Sequence, residues 1–238
     1  MDVTRVEICA NGLESALRAQ KGGADRIELC RALELNGLTP DPRTIRAAVR
    51  QLKIPIHVLI RPRAGNFCYS DNEIRIIIRQ IEVARDLGCQ GIVCGALTTD
   101  RKIDLLATER FIKAAGNLPF TFHRAFDSIP DQYSALEQLI DLGVGRVLTS
   151  GGKSTALEGI THLIKLQDQA KDRIEIMPGS GINPNNVNQF LEKGFSSIHS
   201  SASRTNQGKS KGSPKTQLTE VKEIIRQVRM FGPILNKG

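Results

Sequence analysis

Short runs of β-favouring residues alternate with amphipathic helical stretches along the whole sequence, and this alternation restricts the folds open to the chain. The predicted strands are 3–9, 25–30, 55–61, 90–94, 119–123, 145–150, 173–177 and 195–199. Eight βα units in 238 residues match the (β/α)₈ barrel, which typically has about 250 residues. An open doubly wound sheet often carries a Gly-rich phosphate loop after its first strand, and EICANGLES is not one. The sequence therefore predicts an α/β fold, a (β/α)₈ TIM barrel.

Chain length and polarity predict a compact cytoplasmic protein. A chain of this length can bury a sizeable core, so we expect a single barrel domain over residues 1–238. A polar basic loop is expected at about 204–216, before the last helix. The sequence has no apolar run long enough to span a bilayer and no secretory leader, which predicts no membrane partner. Five cysteines without a CxxC pair are typical of thiols in a reducing compartment.

The net charge of +8 raises the question of nucleic-acid binding. The basic residues are scattered apart from the polar loop, aromatic residues make up only 4%, and no nucleic-acid motif is present. We therefore expect no nucleic-acid partner. Homo-oligomer formation is left open by the sequence.

Three predicted strands carry a glutamate between aliphatic residues, in RVEIC, RIELC and RIEIM. Because strand residues alternate between two faces, the aliphatics face the helices and the intervening residues face the barrel interior. The predicted inward residues include Arg5, Glu7, Cys9, Glu28, Cys30, His57, Leu59, Arg61, Thr121, His123, Glu175, Met177, Ser197 and His199. Barrel interiors are usually aliphatic, so such a set must be paired, solvated or bound to a ligand. One interpretation is an ion-pair network with Arg5, Arg26 and Arg173; the other is a functional site.

Polar residues at the predicted carboxyl ends of the strands favour the functional interpretation, because barrel enzymes place their chemistry there. Arg61 offers a planar fork for a carboxylate or phosphate, and Asp127 could orient either His123 or Arg124. The candidate catalytic residues are Glu7, Glu28, Arg61, His123, Asp127 and His199. The loops LTSGGK, MPGSGI and HSSASR are typical of anion cradles. Their candidate binding residues are Gly151, Gly179, Gly181, Ser200 and Ser201.

Cys9 and Cys30 follow the glutamates of the first two strands, which should lie about 4.8 Å apart. Two thiolates at this range could hold a soft ion such as Cu(I). They could also form a disulfide, or serve only as small apolar packing residues. The residue pattern leaves all three interpretations open.

Several segments together resemble the CutC family of copper-homeostasis proteins. They are GGADRIELC, GLTP, HVLIRPR, TFHRAFD, LTSGG, MPGSGI and HSSAS, in family order from about residue 5 to 204. The resemblance implies a (β/α)₈ barrel, cytosolic copper handling and Cu(I) binding by Cys9 and Cys30. The sequence departs from the family pattern at Asn36 and Ser180, where glycine is usual, and in the segment GNFCYS.

Two functional hypotheses follow. The first is a copper-homeostasis protein that binds Cu(I) through Cys9 and Cys30, with Met177 as a soft neighbour. The alternative is an enzyme that acts by acid–base chemistry on a small anionic metabolite, such as a phosphorylated sugar. We favour copper because residue chemistry and family resemblance both lead to the same two cysteines, and whether the chain is an enzyme stays open.

Overall fold

Eight parallel strands follow one another around a barrel in the computed structural model of the chain, which describes residues 3–203 and 214–231. The strands are β1 (Arg5–Asn11), β2 (Arg26–Cys30), β3 (Ile56–Leu59), β4 (Gly91–Cys94), β5 (Phe120–Phe122), β6 (Arg146–Thr149), β7 (Glu175–Pro178) and β8 (Ser197–Ser200). Each strand from β1 to β6 pairs with the next, and β8 pairs with β1. A parallel bridge between Gly179 and His199 links the β7 and β8 ends and nearly closes the barrel. The predicted (β/α)₈ barrel is confirmed.

Helices connect the strands and form the outer layer of the barrel. In the described part of the chain they are α1 (Gly12–Lys21), α2 (Pro42–Gln51), α3 (Asp71–Asp86), α4 (Leu105–Ala115), α5 (Gln132–Asp141), α6 (Ile160–Ala170), α7 (Val187–Leu191) and α8 (Leu218–Phe231). Short 3₁₀ turns at Leu33–Leu35 and Arg124–Ser128 follow β2 and β5. A capping box starts α3, since Ser70 Oγ accepts the backbone N–H of Glu73 and the Glu73 carboxylate accepts that of Ser70.

Alternate strand positions face two separate hydrophobic clusters. Val6 and Ile8 are fully buried in the large core between the strands and the helices. Cys9, Cys30 and Leu59 belong to a smaller cluster inside the barrel. The predicted directions of these β1, β2 and β3 side chains are confirmed, and this places the thiols of β1 and β2 together in the interior.

Ion pairs neutralise two of the three inward glutamates. The guanidinium of Arg26 donates to Glu7 Oε2, and the guanidinium of Arg146 contacts Glu175 Oε2 at 2.6 Å. Burial alone would raise the pKa of Glu175, but Arg146 brings it below its usual value. The ion-pair interpretation therefore holds for Glu7 and Glu175.

Two of the predicted arginine partners lie elsewhere. Arg5 is exposed at the start of β1, and Arg173 forms an exposed ion pair with Glu137 at 2.8 Å. The expectation that both arginines neutralise interior glutamates is wrong: the Arg5 side chain is exposed, and Arg173, two residues before β7, reaches Glu137 on α5 instead.

The chain segment before α8 is described only in part. Residues 204–213 of the predicted polar basic loop lie outside the described residues, and the single-domain organisation over 1–238 stays a prediction. Within residues 3–203 and 214–231, no helix combines the length and the apolar character needed to cross a bilayer.

Candidate functional site

A cavity of about 590 Å³ lies at the carboxyl ends of the strands. Most of the predicted site residues line it: Cys9, Glu28, Arg61, His123, Asp127, Gly181, His199, Ser200 and Ser201. The others, Glu7, Cys30, Gly151 and Gly179, are not part of this lining. The structure thus brings residues from six different strands and the loops that follow them to one mouth, as expected for a barrel.

The two predicted metal-binding thiols are neighbours. Cys9 Sγ and Cys30 Sγ are 3.6 Å apart, and both residues are buried. Both are free thiols, whereas a disulfide would require about 2.05 Å between the sulfurs. The hydrogen bond with Cys30 and burial together raise the pKa of the Cys9 thiol well above its usual value. The sulfurs are close enough to share one ion.

Cys9 also meets a carboxyl group and an imidazole. Its thiol donates to Glu28 Oε1 at 3.4 Å, and ligand atoms of Cys9, Glu28 and His199 all lie within 4.8 Å of one another. All three residues are buried. Burial raises the pKa of Glu28, and its Oε2 atom has no hydrogen-bond partner among the described residues. This cluster, which we call the Cys–Glu–His cluster, offers sulfur, oxygen and nitrogen ligands at one point.

Glu7 lies beneath the Cys–Glu–His cluster and orients its histidine. Nδ1 of His199 donates to Glu7 Oε1 at 2.8 Å, and Arg26 donates to the other carboxylate oxygen. Burial alone would raise the pKa of Glu7, but Arg26 and the hydrogen bond from His199 hold it well below its usual value. Glu7 is therefore a carboxylate that accepts the Nδ1 proton of His199, and Nε2 is the ring nitrogen left for the cluster.

The pKa of His199 reflects the same neighbours. Burial alone would lower it, but the negative charge of Glu28 and hydrogen bonds with Cys9 and Glu7 raise it well above its usual value. These neighbours favour an imidazolium that donates from both ring nitrogens, and a cation bound at Nε2 would take the place of the proton there.

Arg61 is held largely by backbone carbonyls. Its Nη1 donates to Leu35 O at 2.8 Å and to Gly37 O at 3.1 Å, and its Nη2 donates to Gly65 O at 2.9 Å. Its guanidinium also lies 5.0 Å from the ring centroid of Phe67. These contacts clamp the loops after β2 and β3 around the mouth. Anion binding by Arg61 stays a prediction, and the loop clamp is the role its contacts define.

His123 caps the 3₁₀ turn that follows β5. Its Nδ1 accepts the backbone N–H of Ala125 at 3.3 Å, so the neutral ring carries its proton on Nε2. Burial, together with the charge of Arg61, lowers the pKa of His123 to about 3. His123 is therefore a neutral group at the cavity wall.

Asp127 orients an arginine and the loop after β6. It accepts from Arg124 Nε at 2.8 Å, from Thr149 Oγ1 at 2.5 Å and from Ser150 Oγ at 3.0 Å. Of the two roles predicted for Asp127, orientation of Arg124 is the one these contacts show.

Backbone packing explains two of the predicted anion-binding glycines. A Cβ atom at Gly151 would lie 2.7 Å from Gly159 O, and one at Gly179 would lie 2.5 Å from a methyl group of Leu148. Gly151 therefore requires glycine, because its neighbour is backbone and its φ is positive, whereas a side chain at Gly179 would need Leu148 to shift; neither constraint depends on a bound anion.

The loops after β7 and β8 supply the remaining predicted anion ligands. Gly181, Ser200 and Ser201 line the cavity. The hydroxyl of Ser200 already donates to Ile182 O at 2.6 Å and accepts the backbone N–H of Ala202 at 3.0 Å. Anion binding here stays a prediction, as does the enzyme alternative that depends on it.

Sequence reasoning missed part of the cavity wall. Leu33 and Phe67 line the cavity beside Arg61. Phe67 stands in the polar segment GNFCYS, and an aromatic residue in such a loop was the available signal. Leu33 lies in a 3₁₀ turn that carries no recognisable pattern.

The fold and the site define the class of protein: a (β/α)₈ barrel with a buried thiol pair, an imidazole and a carboxyl group at its mouth. The chain belongs to the CutC family, whose model matches residues 4–204. A CutC family protein of Histophilus somni is 47% identical over 208 residues, which are 87% of this chain and 86% of the relative. One of Glaesserella parasuis is 48% identical over 189 residues, 79% of this chain and 78% of the relative.

A solved structure of the same family has a similar fold. The protein, described as a copper homeostasis protein CutC from Streptococcus agalactiae, is 37% identical and superimposes with a TM-score of 0.80. The similarity covers 83% of this chain and 98% of that one. Family and fold therefore associate this chain with copper homeostasis.

Proposed function

We propose that this chain acts in copper homeostasis by binding Cu(I) through the thiolates of Cys9 and Cys30. The observation that carries the proposal is the 3.6 Å separation of the two sulfurs. With metal–thiolate bonds of about 2.3 Å, two sulfurs on one ion can be up to about 4.6 Å apart. The observed separation fits a bent arrangement around a single ion, and thiolates favour Cu(I) over harder cations.

The surroundings of the thiol pair suit a copper(I) ion. Cys9 and Cys30 form a buried cluster with Leu59 and Val93, and Leu33 packs against it. Apolar walls limit the access of water and oxidants to the ion. All five cysteines are free, which fits a reducing compartment, and we place the protein in the cytoplasm.

Met177 is not needed as a third ligand. Its Sδ accepts a hydrogen bond from Arg26 Nη2 at 3.5 Å, so the thioether is engaged with the Glu7–Arg26 ion pair. The proposed copper site therefore consists of the two thiolates, with Met177 in the structural layer below.

Copper titration of the reduced protein tests the proposal. Under anaerobic conditions, competition with a chromophoric Cu(I) chelator should show about one Cu(I) per chain, since the sulfurs can share one ion. The double variant Cys9→Ser, Cys30→Ser should lose this binding, and Glu7→Gln should keep it.

Cys68→Ser is the matched control for loss of a thiol. Cys68 is half-buried and donates to Thr98 O at 3.1 Å, a hydrogen bond that a serine hydroxyl can also make. This variant should bind copper as the wild type does. Wild-type affinity in the double variant, or no Cu(I) binding by the wild type, would refute the proposal.

A further inference from the structure

Glu28 is a buried carboxyl group for which no ion pair with a lysine or arginine is found in the described chain, and the charge that acts most on it is that of His199. Its exposed fraction is 4%, one oxygen accepts from Cys9, and Oε2 has no hydrogen-bond partner among the described residues. The guanidinium of Arg26, whose charge also acts on Glu28, is paired with Glu7. A buried carboxylate needs a compensating charge, so a cation is expected beside Oε2.

Strand register brings two further ligands to the same point. In the β1–β2 pairing Cys9 lies opposite Glu28, and in the β1–β8 pairing Glu7 lies opposite His199. Three adjacent strands therefore supply one ligand each to the Cys–Glu–His cluster. The distance of 3.4 Å from Cys9 Sγ to Glu28 Oε1 is close to the ~3.5 Å edge of a tetrahedron with bonds of about 2.0–2.3 Å.

The histidine of the cluster is prepared as a metal ligand. His199 donates its Nδ1 proton to Glu7 at 2.8 Å, so Nε2 is the nitrogen that can bind an ion once its own proton is released. Metal-binding histidines usually donate their other ring N–H to a carboxylate or carbonyl in this way. Arg26 in turn fixes the Glu7 carboxylate.

Charge balance favours a divalent ion in this cluster. Arg26 offsets Glu7, and a bound ion displaces the thiol proton of Cys9 and the Nε2 proton of His199, so the ligands to be compensated are the Cys9 thiolate and the Glu28 carboxylate. Two negative ligands are balanced by one divalent cation, while Cu(I) would leave one negative charge buried. A mixed sulfur, nitrogen and oxygen set also suits ions of the Zn²⁺ class.

We propose that Cys9, Glu28 and His199 form a site for a divalent ion of the Zn²⁺ class, distinct from the Cu(I) site but sharing Cys9 with it. All three ligands line the 590 Å³ cavity, so the remaining coordination position faces that cavity. Three protein ligands and one exchangeable position are the arrangement of zinc sites that bind or activate a small molecule. The inference does not depend on copper binding.

Cobalt(II) is the probe for this site, because a Co²⁺–thiolate bond gives an intense near-ultraviolet charge-transfer band. The full-length reduced protein, freed of metal with a chelator, is titrated anaerobically with Co²⁺. One equivalent should produce the band, and Zn²⁺ should abolish it by displacement. Glu28→Gln and His199→Gln should each weaken Co²⁺ binding at least about 10-fold, and Glu7→Gln about 10- to 100-fold.

Cys30→Ser separates this proposal from the copper proposal. It should lose Cu(I) binding but keep the Co²⁺ band, because Cys30 is not a ligand of the divalent site. His162→Gln, in α6 and outside the lining of the cavity, should keep both. Absence of a band in the wild type, or a band that survives Glu28→Gln and His199→Gln but disappears in Cys30→Ser, would overturn the inference.

A measurement on the wild type covers the case in which a variant fails to fold. X-ray absorption at the zinc edge of the Zn²⁺-loaded protein should show one sulfur neighbour at about 2.3 Å and nitrogen or oxygen neighbours at about 2.0 Å. Two sulfur neighbours would assign the ion to the thiol pair and overturn the inference.

Discussion

Replacement of Arg26 by methionine tests the interior ion pair that supports the site. The exposed fractions of Arg26 and Glu7 are 5% and 0%, so the substitution leaves a carboxylate buried without its guanidinium. Methionine has a similar length and fills the space without a charge. The expected result is a large loss of unfolding free energy.

The size of this loss follows from burial. Removal of one partner from a buried ion pair typically costs about 3–5 kcal/mol. A Coulomb attraction of about 4 kcal/mol, for charges ~4 Å apart at an effective dielectric constant of about 20, is of the same order. His199 still donates to Glu7 in the variant, so we expect a value near the lower end, about 3 kcal/mol.

Equilibrium urea unfolding at pH 7, followed by circular dichroism, measures the loss. The control is Arg173→Met, which removes the exposed pair with Glu137 and should cost at most about 1 kcal/mol. Arg26 keeps the pKa of Glu7 well below its usual value, so the pair stabilises the fold above the unfolded pKa of about 4.3. That contribution is lost as pH falls through the folded pKa, and the difference between wild type and Arg26→Met should shrink there. Equal losses in Arg26→Met and Arg173→Met at pH 7 would refute this reasoning.

Three further outcomes are expected. A Cβ atom at Gly91 would lie within about 2.6 Å of the His57 ring, so Gly91→Ala should lower the free energy of unfolding in urea by about 1–3 kcal/mol. The control Gly145→Ala, whose Cβ would be 3.7 Å from the nearest atom, should change it little, and equal losses in the two variants would contradict this. His123 has a pKa of about 3 in the folded chain against about 6.5 in the unfolded chain, so the free energy of unfolding should fall as pH drops from 6.5 towards 3. His123→Gln should remove part of this pH dependence, and the same pH dependence in the variant and the wild type would argue against the assignment. Cu(I) at 100 times its dissociation constant should add about 2.7 kcal/mol to the unfolding free energy, measured anaerobically, and the double cysteine variant should show no such gain.

The fold was predictable because the alternation of strands and helices is visible in the sequence, but strand ends depend on contacts that the pattern does not contain. The third strand was predicted to reach Arg61 and ends at Leu59, because the backbone N–H of Arg61 turns to the hydroxyl of Thr39. The fifth ends at Phe122, because His123 caps the next turn.

The directions of the site residues were predictable, and their partners were not. Strand parity alone placed Cys9 and Cys30 inside the barrel, since each strand alternates its faces. The carbonyls that hold Arg61 come from two loops, so no spacing along the chain indicates that both terminal nitrogens of its guanidinium already donate hydrogen bonds to the backbone. The partners of Asp127 were not predictable either, because its carboxylate accepts hydrogen bonds from Thr149 Oγ1 and the backbone N–H of Ser150, at the end of β6 and just after it.

The two family departures in loops have a common physical explanation. Asn36 and Ser180 have φ values of 63° and 91°, a backbone region in which glycine is least strained. Asparagine tolerates this region, and the Ser180 hydroxyl gains a hydrogen bond to Ser154 O at 2.9 Å. The loops can therefore keep the shape that glycine would give them, including the turn whose carbonyls hold Arg61.

Cys9 occupies the one position from which both proposed ions can be held. Its strand lies between β2 and β8, so its thiol reaches Cys30 and Glu28 on one side and His199 on the other. Because one thiolate at this position cannot serve two separate ions fully, Cu(I) and a divalent ion should compete, and Cys9→Ser should weaken both. In a reducing environment, the ion that wins this competition depends on the other ligands that join the Cys9 thiolate. A second thiolate selects the soft monovalent ion, whereas a carboxylate and an imidazole select the divalent ion. Under both proposals, the residues around Cys9, more than Cys9 itself, therefore select the metal.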